Sequence, residues 1–223
     1  MKKTTILAAF ATALIFSACG DNANNTADNA VVESAEATET ATAEGDTYAV
    51  DTEQSNVKWH GTKVTGEHNG NIELQSGELT VANNQVTGGT IVIDMNTITN
   101  EDITDAKYNS DLVNHLKSDD FFGAEKYPTA TFNITSLTPI ASAAPGEANY
   151  TATGNLTIKD KTNPVTFPVY VTVENNEAKA KADVTVNRAQ YDVRYGSNSF
   201  FENLGDKAIS DDFTVSFDIV AKK

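Results

Sequence analysis

The chain has 223 residues, with 16 Lys plus Arg against 31 Asp plus Glu and a net charge of −15. So acidic a polypeptide repels phosphate backbones, which argues against nucleic acid as a partner. Its single cysteine, Cys19, rules out an intramolecular disulfide, so the folded part must hold together by packing.

Lys2 and Lys3 precede an apolar run from Ile6 to Phe16, followed by Ser17, Ala18, Cys19 and Gly20. A basic start, a short apolar segment and small residues before a cut describe a secretory signal peptide over residues 1–18. The run is too short to span a bilayer, which takes about 20 apolar residues. Phe16-Ser17-Ala18-Cys19 resembles the lipobox of bacterial lipoproteins, with Phe16 where Leu is usual. That resemblance implies an acylated Cys19, carrying chains such as palmitate. It places the protein on a membrane of the bacterial cell envelope, facing the periplasm or the exterior. A plain cleaved signal with an incidental cysteine is the alternative. From Gly20 to Asp46 there is no aromatic residue and no Lys or Arg. Such a segment cannot bury enough apolar surface to offset chain entropy. Residues 19–46 therefore read as the acylated cysteine and a disordered acidic tether, about 30 Å in mean span.

Residues 47–223 carry strand signals in series. Val57, Trp59 and Gly61 alternate with polar residues, and Gly66 to Gly70 reads as a turn. Ile72 to Ala82 and Gln85 to Met95 form a hairpin across Asn83-Asn84, with Ile91, Ile93 and Met95 on one face. Next comes an amphipathic helix in which Tyr108, Leu112 and Leu116 share a face. Glu101, Asp102 and Asp105 load its first turn with negative charge. Phe121 and Phe122 stand at the junction with a strand over residues 129–138, where Ala130, Phe132 and Ile134 face one way.

Three more strands follow. Ala152, Gly154, Leu156 and Ile158 alternate in one, and Val165, Phe167, Val169, Val171 and Val173 in the next. Asn175-Asn176 turns the chain into a row of small residues, Ala178, Ala180, Ala182, Val184 and Val186. After an irregular stretch from Arg188 to Asp212, the last strand shows Phe213, Val215, Phe217, Ile219 and Ala221 on one side. About eight antiparallel strands with one apolar face close into a barrel or stack as a sandwich. Eight is the size at which a barrel interior is either filled or holds one small ligand. The alanine row suits a hollow, and it suits local packing against the aromatics equally well.

Three blocks resemble a known family: Asp111 to Phe122 running on to Lys126-Tyr127-Pro128-Thr129-Ala130-Thr131-Phe132; Gly154 to Phe167; and Trp59 to Lys63 with Gly70 to Leu79. Their order and spacing look like the YceI-like domain, also called the lipid- and polyisoprenoid-binding domain. The resemblance spans residues 48–221. It implies an all-β fold, a lipocalin-like antiparallel barrel with a helix packed on its side, enclosing a polyisoprenoid, a quinone or another long-chain lipid. It implies no catalysis and no cofactor. On the inward rows, Ile91, Ile93, Phe132, Leu156, Phe167, Val169, Phe213 and Phe217 are the expected walls of such a cavity. Phe121, Phe122, Phe200 and Phe201 are expected near a mouth, with Arg188 and Arg194 as head-group contacts. Ordinary core is the competing reading for each apolar position. The histidines His60, His68 and His115 show no metal-site spacing, and the domain carries no Gly-x-Ser-x-Gly. A structural or partner-binding module on the tether is the alternative function. A homodimer is left open.

Overall fold

Asn83-Asn84 and Asn175-Asn176 each place two residues at positive φ, near 52–62°, the backbone that two-residue hairpin turns need to match strand twist. Around these turns the computed structural model describes residues 44–223. The signal segment, Cys19 and most of the tether lie outside the described residues. The strands are β1 (Asp46–Val50), β2 (Asn56–Lys63), β3 (Gly66–Ala82), β4 (Gln85–Asp94), β5 (Thr129–Pro139), β6 (Tyr150–Ile158), β7 (Lys161–Glu174), β8 (Glu177–Asn187) and β9 (Ile209–Lys222). All pairings are antiparallel, in the order β3-β2-β9-β8-β7-β6-β5-β4, and β4 pairs back onto β3. Eight strands thus close into a barrel, as expected, which leaves no free sheet edge around the circuit. The short β1 is an addition that the alternation pattern did not announce. It pairs with β3 through Asp46–Ala49 and with β9 through Ala49 and Val50.

Helix α1 (Ala106–Lys117) lies in the β4–β5 connection. That connection and the β8–β9 connection both leave the same end of the barrel. His115 joins them, its ring edge-on to Phe121 at 4.9 Å and to Tyr195 at 4.5 Å.

Three local expectations are corrected. The Gly66–Gly70 stretch is strand, not turn; the chain reverses at Val64-Thr65. The β4–α1 linker explains this, because Thr99 and Glu101 donate their N–H groups to the carbonyls of Asn71 and Asn69, extending the ladder on the far side of β3. Second, only Asp105 caps the helix, accepting from the N–H groups of Lys107 and Tyr108. Asp102 and Glu101 precede it and bond instead to Asn69 and Asn71. Third, Tyr108 is solvent-exposed, and the inward face of α1 rests on Leu112 and Leu116.

Gly70 marks where the linker crosses β3. A Cβ there would overlap the carbonyl oxygen of Thr99, the same oxygen that accepts from Trp59 Nε1 at 2.9 Å. Gly70→Ala should therefore push the linker off the sheet, costing about 1–3 kcal/mol. The expected readout is a Tm lowered by roughly 5 °C, with a shifted emission from Trp59, the single tryptophan. Unchanged stability and emission would show that the linker adjusts freely.

Candidate functional site

Alternation alone would send every second residue inward, but bulges change the count along three strands. On β4, Val86 and then Ile91 and Ile93 face the interior, a change of parity made where the β3–β4 register slips near Val81. Along β5 the slip between Ile134 and Ser136 brings Leu137 inward after Ala130, Phe132 and Ile134. A third slip, beyond Leu74 on β3, puts both Ile72 and Leu79 on the inner face. Each bulge adds one residue and turns the following side chains over.

The inner faces enclose a cavity of about 270 Å³. It exceeds the roughly 150 Å³ of an apolar hollow that takes a benzene, and it stands close to the ~300 Å³ at which small-molecule sites begin. Ile91, Ile93, Phe132, Leu156, Phe167, Val169, Phe213 and Phe217 all stand on its lining. Phe132 meets Phe167 at 5.6 Å between ring centroids, and Phe167 meets Phe217 edge-on at 5.9 Å. Phe121 and Phe122 also line it, with Phe122 edge-on to Phe213 at 6.3 Å. Ala180 opens onto the space, whereas Ala178 and Ala182 are packed into the core. The alanine row therefore serves both roles that its composition allowed.

The other expected positions are placed as follows. Phe200 and Phe201, 39% and 49% exposed, sit on the β8–β9 connection and do not line the cavity. Arg194 is on the surface, bonded to Asp192 and stacked 5.0 Å from Phe200. Arg188 does reach the lining, yet it is 4% exposed and its guanidinium is committed. Its Nε donates to the Ser210 carbonyl at 2.8 Å, and Nη1 to those of Val193 and Tyr195 at 2.9 Å each. Nη2 donates to Ile209 at 3.1 Å and stands 3.4 Å from the Asp211 carboxylate. Burial pulls this group's pKa down, and Asp211 opposes the pull. Arg188 is thus not free for a head group, and Arg194 stands on the surface away from the lining. Charge counting missed the Arg188 site because most of its partners are carbonyls, which carry no signature in the sequence.

Sequence reasoning also passed over Trp59, Met95, Ile98, Leu112 and Leu116 as lining residues. The rows on β2 and α1, and the Ile91-Ile93-Met95 row, contained the signal for four of them. Ile98 had none, since it follows the 3₁₀ turn Met95–Thr97 that ends the strand.

The three histidines each face a carboxylate: His60 with Glu67, His68 with Asp102 and His115 with Asp120. No cluster of three or more His, Cys, Asp or Glu suited to a metal occurs among the described residues. Tyr191 is fully buried away from the cavity, and burial pushes its phenol up to about 12. Asp102 behaves in the opposite way. Burial would raise its pKa, but the Asn69 N–H, His68 and the Asn100 amide outweigh that and hold it at about 2, against an ordinary 3.8. A carboxyl with a depressed folded pKa stabilises above its unfolded value, and the benefit fades as pH falls toward the folded one. The link between β3 and the α1 linker should lose about 1–2 kcal/mol between pH 4 and pH 2. Urea unfolding of the native chain and Asp102→Asn should differ at pH 6 and converge as pH approaches 2; a gap that persists there would refute the assignment.

A YceI-like domain profile matches residues 48–221 of the chain. Among solved structures, BcnA of Burkholderia cenocepacia superposes with a TM-score of 0.59 at 24% identity, covering 78% of this chain and 99% of its own. A polyisoprenoid-binding domain from Saccharophagus degradans, implicated in plant cell wall breakdown, gives 0.56 at 16% identity, covering 78% and 97%. Curated protein sequences offer no significant match. Identities this low speak for the fold.

Proposed function

The chain belongs to the YceI-like domain family, and on that footing we propose that it holds a polyisoprenoid or similar long-chain lipid in its barrel. The observation that carries this reading is the cavity of about 270 Å³ walled by aliphatic and aromatic side chains. Burial of apolar surface yields about 25 cal/mol per Å², so an apolar chain gains affinity there without polar contacts, less the cost of ordering it. The polyisoprenoid binding in the name of the Saccharophagus degradans domain agrees with this ligand class.

Residues 1–18 direct export, and acylated Cys19 fixes the mature chain to a membrane of the cell envelope, with the barrel in the periplasm or outside the cell. More than one acyl chain is what stable anchoring requires. The lipobox-like Phe16-Ser17-Ala18-Cys19 supports this.

Organic extraction of purified protein followed by mass spectrometry tests the ligand, and intact-mass measurement of the mature chain tests the anchor. Recovery of a prenyl or other long-chain lipid in a defined ratio is expected. No lipid in repeated extractions, with no uptake of added quinone or prenyl phosphate, would refute the binding role. An unmodified Cys19 would refute the anchor and leave the barrel's role untouched.

A further inference from the structure

Directly opposed residues of an antiparallel pair share a face. On β2 and β3 the opposed pairs run Val57–Ile72, Trp59–Gly70, Gly61–His68 and Lys63–Gly66, with no slip between them. The first pair lies deep on the cavity lining, so the last begins on the same inner side, at the rim. Lys63, Gly61, Gly66 and His68 all line the cavity. At Gly61 and Gly66 a Cβ would meet nothing within 4 Å, which means open space beside both. This stretch of rim is a gap, and a lysine stands in it.

The electrostatics of the lining are unlike those of the chain. Acidic residues outnumber basic ones 31 to 16 overall, yet among the described residues no Asp or Glu lines the cavity. Of the two permanent cations that do, Arg188 is spent on four carbonyls and Asp211. Lys63 has no ion pair among the described residues. The carboxylates facing His68 and His60 are already occupied: Asp102 accepts from His68, Asn69 and Asn100, and Glu67 pairs with His60.

The geometry points to Lys63 as the residue that selects a ligand with an anionic head group, a carboxylate or a phosphate, on its apolar chain. This rests on the lipid-binding reading above and narrows it from lipids in general to amphiphilic anions. The chain fills the barrel, the head lies in the glycine gap, and the ammonium pairs with it where water still reaches. A charge-assisted contact of that kind discriminates a charged head from its neutral counterpart by roughly ten-fold.

The test uses full-length protein freed of co-purifying lipid, with cis-parinaric acid and its methyl ester as fluorescent probes. The acid should bind about ten-fold more tightly than the ester. Lys63→Gln should remove that difference by weakening the acid alone, Lys63→Arg should restore it, and Lys58→Gln, on the outer face of β2, should leave it intact. Displacement by geranylgeranyl phosphate but not geranylgeraniol would assign the anion as phosphate; displacement by neither would leave carboxylate as the head group. Equal binding of acid and ester, unchanged in Lys63→Gln, overturns the assignment while keeping the lipid role. Binding of no probe at all overturns both.

Discussion

Arg188→Met should destabilise the domain by about 3–5 kcal/mol, the usual cost of breaking a buried charge pair from one side. Methionine fills a similar volume, so the loss is electrostatic rather than steric. Four backbone carbonyls, those of Val193, Tyr195, Ile209 and Ser210, lose their donors together, and the Asp211 carboxylate loses its cation. These groups belong to the β8–β9 connection and the first residues of β9, which Arg188 pins to the end of β8. In a domain of this size the loss corresponds to a fall in Tm of roughly 10 °C. Arg188→Lys should recover part of it, because an ammonium keeps the charge but not the planar fork. Arg194→Met, on the surface, should change little. Urea midpoints for the three variants decide the matter. Equal midpoints for Arg188→Met and Arg194→Met would show that water replaces the guanidinium without cost.

Ala180→Phe should abolish most ligand binding while leaving the fold in place. Ala180 lies on β8 opposite Val171 of β7 and Ile219 of β9, and all three face the cavity. A ring added there projects into space that a bound chain would use. If it displaces about 100 Å² of ligand contact, affinity falls by about 2.5 kcal/mol, close to seventy-fold. Stability should hold or rise, since the ring fills a void rather than a packed core. Ala180→Val should give a small loss in the same direction. Titration with a fluorescent long-chain probe, alongside thermal melts, separates the outcomes. A folded Ala180→Phe variant that binds as tightly as the native chain would place the ligand elsewhere.

The polar rim shows why some of the site could be read early and some could not. Phe132, Leu156, Phe167 and Phe217 were identifiable because a period of two over a single strand is written in neighbouring residues. Leu137 and Val86 were not, because a bulge depends on how two distant strands register. The arginines illustrate the harder case. Arg188 and Arg194 look alike along the chain, yet one is walled in by carbonyls as far away as Ser210 and the other points to solvent. Lys63 could not be read as a rim residue because its setting is formed by Gly61, Gly66 and a lining without carboxylates among the described residues.

Residue order by itself determined the strands, the two Asn-Asn hairpins, the helix with its Phe121-Phe122 junction and the family, since these depend on local backbone preference and short-range periodicity. Only the tertiary structure decided that β9 returns to β2, that bulges turn Val86 and Leu137 inward, and that α1 presents Leu112 and Leu116 to the cavity. It also decided which cation is left unpaired at the rim. Those outcomes arise from pairing between residues tens of positions apart, where the free energy of a side chain is set by what surrounds it rather than by what precedes it.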